Sequence, residues 1–224
     1  MSRTLVVMPT HNQVRYLPKA YASVINQVDS LIVVDDASTD ETAHWLVKNA
    51  KDSLRLWMNL GTAKAINVGI RQLLWREKGL ENTWLSWVSS DNYMADDWVS
   101  TLLNSLEPRV GAIYGGYRYL NSKVYRYTSH DKDRLINRVE CYYGPAFLIR
   151  ADVWQEHRGG ICHDYDNWLR VEEACWEKGL IIKGVDKCLC TYNDHEERAT
   201  VKKKHLFDGN KWQEMAKNRR AFAS

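Results

Sequence analysis

Leu31-Ile-Val-Val-Asp-Asp36 decides the fold: a short, β-branched apolar run closed by two carboxylates reads as a strand buried on both faces. Upstream, Thr4-Leu-Val-Val-Met8, ended by Pro9, has the same character. Between them, Leu17 to Gln27 has helix composition and a crossover's length, so the first third is a β-α-β unit with parallel strands. The alternation continues downstream. The sequence predicts a helix over Asp40–Ala50 with Ser38 or Thr39 as N-cap, a strand over Leu54–Met58 and a helix over Ala63–Trp75. A strand over Trp84–Ser90, ending at Asp91, and a helix over Asp96–Leu106 follow. Such alternation argues an α/β fold with a mostly parallel sheet. After Gly115-Gly116 the segments turn aromatic and polar (Tyr117, Tyr119, Tyr125, Tyr127, Tyr142, Tyr143), which predicts a mixed or antiparallel region.

The chain has 224 residues, enough for one domain with an appendage. Its 31 Lys+Arg against 28 Asp+Glu, with 45% hydrophobic residues, exclude a disordered polymer. No apolar run approaches the ~20 residues of a membrane span, and no charged-then-apolar leader precedes the first strand, so a cytoplasmic location is expected. Five irregularly spaced cysteines argue reduced thiols rather than a disulfide framework. Ten tryptophans and twelve tyrosines against three phenylalanines form a skewed aromatic set that suits stacking on sugars or bases, although most belong in the core. From Arg198 onward, eight Lys/Arg face Asp208 and Glu214, a net +6. This 198–224 segment is expected as a partly helical basic tail. It suits an anionic lipid surface, an acidic glycan or nucleic acid, with Trp212 beside Lys211 and Lys217 for base stacking; a solubilising helix would carry the same charge.

In open α/β sheets, ligands bind at the carboxyl ends of the strands. Here those ends read Pro9-Thr-His-Asn12, Asp35-Asp36 and Ser89-Ser-Asp-Asn92. Loop solvation and helix capping account for Ser38 and Asp40 but not for carboxylates at two separate strand tips, so a site is expected there. No G-x-G-x-x-G follows the first strand and no G-x-x-x-x-G-K-[ST] exists, so a metal ion is the expected diphosphate binder.

Five blocks occur in order: Val6-Val-Met-Pro-Thr-His-Asn12, Ile32-Val-Val-Asp-Asp-Ala-Ser-Thr-Asp40, Asn59-Leu-Gly-Thr-Ala-Lys-Ala-Ile-Asn-Val-Gly69, Gly144-Pro-Ala-Phe-Leu-Ile-Arg150, and Gly159-Gly160 leading into His163-Asp-Tyr-Asp-Asn-Trp-Leu-Arg170. Together, over about residues 4 to 195, they resemble the family 2 glycosyltransferases of GT-A fold. The resemblance implies one GT-A domain over 1–197, with a Rossmann-like donor-binding half (1–115) joined to a mixed-sheet acceptor half (116–197). It further implies transfer, with inversion, from a nucleoside-diphosphate sugar, a UDP-sugar, to a hydroxyl on a glycan, a lipid-linked sugar or a hydroxylated DNA base.

The same resemblance assigns residues. Pro9, Thr10, His11, Asn12, Asp35 and Asp36 would hold the base and ribose, Asn59 and Gly61 would line that pocket, and Lys64 would lie near the diphosphate. Ser90 and Asp91 would complete the donor site. Asp91 matches the last acid of a D-x-D metal motif for Mn²⁺ or Mg²⁺, and His195 matches a late histidine that reaches back to the metal or the diphosphate. Ser89 stands where the first acid is expected, Asn92 where a further acid is frequent, and Ile66 where an Arg often precedes Asn67. Asp164 would be the base that deprotonates the acceptor, with His163 in place of the usual Glu; Asp166 is its rival, and helix capping is a compatible role. Gly144, Tyr165 and Trp168 would face the acceptor.

Two other functions compete. A sugar nucleotidyltransferase shares the carboxylate-bound metal, but His11 to Arg15 lacks its glycine-rich basic signature. A non-catalytic nucleotide-sugar or nucleic-acid binding module fits Ser89 and Asn92 but not the intact Asp91 and Asp164. A zinc module built on Cys162, His163, Cys188, Cys190 and His195 lacks the repeated C-x₂₋₄-C pairs of structural sites.

Overall fold

The computed structural model describes residues 2–78, 80–132, 135, 143–158, 163–193 and 195. The basic tail at 198–224, Gly159-Gly160, Cys141, Tyr142 and Cys162 lie outside the described residues.

The first strand, β1 (Arg3–Thr10), pairs in parallel with β2 (Ser30–Asp35) through the crossover helix α1 (Leu17–Ile25). Both strands are buried on both faces, as their uninterrupted apolar runs require. Val6 and Met8 point into one cluster with Leu31 and Val33, whereas Leu5 and Val7 point into the opposite one with Ile32 and Val34. After β2 come α2 (Thr42–Asn49), the short β3 (Ser53–Arg55) and α3 (Thr62–Glu77), which covers the second face. Gly69 makes that packing close, because a Cβ there would lie 2.6 Å from Val7 Cγ1.

Further along run β4 (Thr83–Trp87), β5 (Tyr93–Met94), α4 (Trp98–Asn104), β6 (Val110–Tyr119), β7 (Tyr125–Arg126), β8 (Phe147–Arg150), α5 (His163–Glu177) and β9 (Ile181–Tyr192). The sheet order is β3-β2-β1-β4-β8-β6-β9-β5, with β7 on β6. Strands β3, β2, β1 and β4 are parallel; β8 is antiparallel to both β4 and β6, and β6 runs parallel to β9. The parallel half and the mixed half are therefore one continuous sheet, and the expected division at 115/116 falls inside β6. Helix α5 packs its buried face on β6 and β8.

Five expected elements, α1, α2, α4, β3 and β4, are shorter than predicted. The third strand ends at Arg55, opposite Asp35, the last residue of β2, and Leu56 N makes the final backbone bond to that strand at Asp35 O. The fourth stops at Trp87, past which the chain turns, with Asn92 N bonded to Ser89 O. Helix α2 starts at Thr42, and neither Ser38 nor Thr39 caps it. Ser38 Oγ accepts from Asn12 N and Thr39 N donates to Asn12 Oδ1, so both are committed to the neighbouring loop; Asp40 Oδ1 takes Thr42 N instead. No helix of the described residues is long and apolar enough to cross a membrane.

Candidate functional site

The carboxyl ends of β1, β2 and β4 lie side by side, with Thr10 opposite Asp35 and Val88 N bonded to Val7 O. Each tip is held by polar contacts to its neighbour. The His11 ring donates from Nδ1 to Asp36 O at 2.8 Å. Asn12, left-handed at φ 54°, accepts Thr39 N at 2.7 Å through Oδ1, so the loops after β1 and β2 are clamped together. Asn tolerates that conformation better than other side chains with a Cβ.

Asp35 and Asp36 are both buried but do different things. Asp35 Oδ1 accepts Ser38 N at 2.9 Å, and Oδ2 lies 3.6 Å from Arg55 Nε without a hydrogen bond. Asp36 accepts two backbone donors, Leu60 N at 2.7 Å on Oδ1 and Gly61 N at 2.8 Å on Oδ2. It thereby supplies, from the residue after β2, the anionic partner that the N-cap of α3, Gly61, cannot. Gly61 adopts φ 85°, which a side chain would strain. Pro9 is buried in β1, whereas Asn59 and Lys64 are exposed around this loop. Thr10 Oγ1 is buried without a hydrogen-bond partner at the tip of β1, and Ser90 Oγ reaches Gln13 Oε1 at 3.4 Å.

Asp91 and His195 meet, although 104 positions separate them: Nε2 lies 3.0 Å from Asp91 Oδ2, and both side chains are largely buried. Strand β9 brings them together, since Tyr93 pairs with Thr191 and Asn193 N donates to Asn92 Oδ1 at 3.3 Å. Asn92 is thus a buried structural link. The His195 ring stacks on Tyr16 at 4.3 Å between centroids, and its Nδ1 is buried with no partner. An imidazole nitrogen and a carboxylate oxygen at this spacing are a donor set that fits a shared divalent ion.

Asp164 lies in the first turn of α5. Its side chain is 48% exposed, yet Oδ1 is buried, 2.9 Å from His163 Nδ1 and 4.0 Å from His157 Nδ1. Burial opposes its ionisation, but the facing histidines outweigh that cost and hold the carboxyl below the ordinary range. Asp166, its rival, is buried and paired with Arg170 at 2.9 Å, so it faces the interior rather than an open groove. The expected acceptor platforms lie in the interior. Tyr165 is fully buried and donates its hydroxyl to Leu135 O at 2.6 Å; Trp168 is buried with its face stacked on Tyr143 at 3.9 Å. Neither presents a free face. Gly144 lets the chain cross β6, because a Cβ would meet Gly115 O at 2.5 Å.

Sequence reasoning missed His157 and Trp87. Trp87, at the end of β4, lies with its ring centroid 6.0 Å from that of His157 and 6.2 Å from that of His163, which links the strand tips to the start of α5. The one available signal was a second histidine six positions before His163, across Gly159-Gly160.

Comparison with solved structures returns the same architecture. A Staphylococcus aureus TarS fragment, residues 1–349, superposes with a TM-score of 0.62 at 18% identity, covering 85% of this chain and 60% of that one. TarS in complex with UDP gives 0.58 at 18% identity, over 87% and 61%. Glucosyl-3-phosphoglycerate synthase from Mycobacterium tuberculosis, with Mn²⁺, UDP-glucose and phosphoglyceric acid, gives 0.63 at 14% identity, over 92% and 77%. The chain thus spans about 60% of the TarS fragment's length. No curated protein sequence matches. The profile of Glycosyl transferase family 2 matches residues 5–170, and those residues hold the strand tips, the parallel sheet and the His163-Asp164 turn just described. With most of its length matched and a GT-A fold beneath, the chain belongs to glycosyltransferase family 2.

Proposed function

We propose that this protein transfers a sugar from a nucleoside-diphosphate donor, a UDP-sugar, to a hydroxyl acceptor with inversion at the anomeric carbon. The Asp91–His195 pair carries this reading: two ionisable groups far apart in sequence close on each other at the carboxyl edge of the parallel strands, where such sheets bind nucleotides. The UDP complex of TarS and the Mn²⁺–UDP-glucose complex of the mycobacterial synthase support the donor class.

Asp91 and His195 are the residues that would hold Mn²⁺ or Mg²⁺, and such an ion offsets the charge that develops on the departing diphosphate. The loops that carry Thr10, Asn12 and Asn59–Gly61, fastened by Asp35 and Asp36, shape the nucleotide side. Asp164, ionised at neutral pH and partly exposed, takes the proton of the acceptor hydroxyl. That oxygen attacks the anomeric carbon opposite the leaving group, and a single displacement inverts the centre. The acceptor is a glycan, a lipid-linked sugar or a hydroxylated DNA base, and the net +6 of residues 198–224 favours an anionic one.

Donor hydrolysis without acceptor, across a panel of nucleotide sugars with and without Mn²⁺, tests the reading. Release of UDP from one UDP-sugar, dependent on the ion, is expected. Pyrophosphate-dependent formation of nucleoside triphosphate would instead point to a nucleotidyltransferase, and binding with no turnover to a non-catalytic module.

A further inference from the structure

His157, His163 and Asp164 form the one group of three metal-ligating side chains whose ligand atoms converge among the described residues. His157 Nδ1 lies 3.0 Å from His163 Nδ1, which lies 2.9 Å from Asp164 Oδ1; His157 Nδ1 and Asp164 Oδ1 are 4.0 Å apart. We propose that these three atoms bind a zinc-class divalent ion, at a site separate from the Asp91–His195 pair.

Three observations carry it. The first is the proton count. If His163 Nδ1 carries a proton, one neighbour receives it squarely and the other lone pair stays unmatched. If His157 Nδ1 carries it instead, the His163 lone pair faces a carboxylate oxygen at 2.9 Å. Asp164 Oδ1 is accordingly buried without a well-aligned hydrogen bond. A cation satisfies all three facing atoms at once.

The second is spacing: the three atoms lie 2.9, 3.0 and 4.0 Å apart, around the ~3.3 Å that ligands of one tetrahedral zinc keep at ~2 Å bond lengths, so small side-chain shifts bring all three to bonding distance. Two imidazoles with one carboxylate select a borderline-soft ion over Mg²⁺ or Ca²⁺, and three protein ligands leave a fourth position open.

The third is preorganisation. His157 is buried and its backbone is held on both sides by Asn67 of α3, whose Oδ1 accepts His157 N and whose Nδ2 donates to His157 O, each at 2.8 Å. From α5, Arg170 donates to Glu156 O and Asn167 to Gln155 O. The ligand loop is thus fixed against two helices before any ion arrives, as metal sites require of their supporting contacts.

The assay is calorimetric titration of Zn²⁺ into the full chain, with Mg²⁺ and UDP in excess to engage the donor site. One zinc equivalent at micromolar affinity or tighter is expected. Supporting contacts alone are worth about 10–100-fold in metal affinity, so removing a ligand with His157→Ala should cost at least about 100-fold. His163→Gln on the partly exposed helix start serves if the buried substitution does not fold. Asp91→Asn should keep the zinc site. Equal zinc affinity in wild type and in both histidine variants would overturn the proposal, as would loss of the site in Asp91→Asn alone, which would place the ion in the donor pocket. Transfer assays separate this from the proposed reaction, on which one further expectation rests: an ion on Asp164 Oδ1 occupies the acceptor base, so zinc should inhibit transfer reversibly while UDP affinity holds. Zinc binding without inhibition upholds the site and counts against Asp164 as the base.

Discussion

Asp35 and Asp36 are adjacent, buried and chemically identical, yet their amide variants should differ sharply in stability. Asp36→Asn keeps one acceptor for Leu60 N or Gly61 N and turns an NH₂ towards the other donor, so one bond is lost and a buried N–H is left unmatched. A hydrogen bond to a charged group contributes about 1.5–3 kcal/mol. Losing one and weakening the other should cost about 2–4 kcal/mol, which for a chain of this size is a fall in Tm of about 4–16 °C. Asp35→Asn retains its bond to Ser38 N and loses only the long approach to the half-exposed Arg55, for about 1 kcal/mol or less. Urea unfolding at pH 7, read as the midpoint at constant m, measures both, and a UDP titration accompanies it. Equal losses would refute the assignment. So would an Asp36→Asn protein of wild-type stability that no longer binds UDP, since Asp36 would then touch the nucleotide rather than anchor the loop beneath it.

Other outcomes follow from the same geometry. Asp91→Ala should remove the part of UDP affinity that depends on Mn²⁺; calorimetry with and without chelator checks this, and an unchanged metal effect would remove Asp91 from the ion's ligands. Asp164→Asn should slow transfer by about 10²–10⁴ with UDP-sugar affinity nearly intact, and near-normal turnover would move the base elsewhere. Burial pushes the Cys175 thiol up to about 12 and Cys190 well above its usual value, whereas Cys188 is partly exposed. Iodoacetamide at pH 8 followed by peptide mapping should therefore label Cys188 ahead of the other two, and early labelling of Cys175 would contradict its packing.

Much of the fold was legible because its signals are local. Strands buried on both faces write themselves as unbroken β-branched runs, as in Leu31–Val34, and crossover helices fill the intervals between them. Element ends were less legible. Leu54–Met58 has strand composition, but only Ser53–Arg55 pairs, since the partner strand β2 ends at Asp35 and the chain beyond bonds to the Asp36 side chain through Leu60 N and Gly61 N. Likewise Ser38 looks like a cap, and only the position of Asn12 across the strand gap shows it to be a staple.

The chemistry divides the same way. That carboxylates stand at strand tips, and that Asp91, Asp164 and His195 are chemically apt, follows from residue identity and order. Which groups face each other does not. The Asp91–His195 contact is made by β9 pairing with β5; the His157–His163–Asp164 cluster is made by Asn67 pinning a loop against α3; and the burial of Tyr165 and Trp168 is made by α5 lying on β6 and β8. Sequence by itself determined the α/β alternation, the parallel order of the first strands and the inventory of reactive groups, because hydrophobic periodicity and composition are properties of neighbours along the chain. Only the tertiary structure decided which aromatic faces are already covered, which carboxylates are already bonded and which histidines converge, because those depend on distances between elements tens of residues apart.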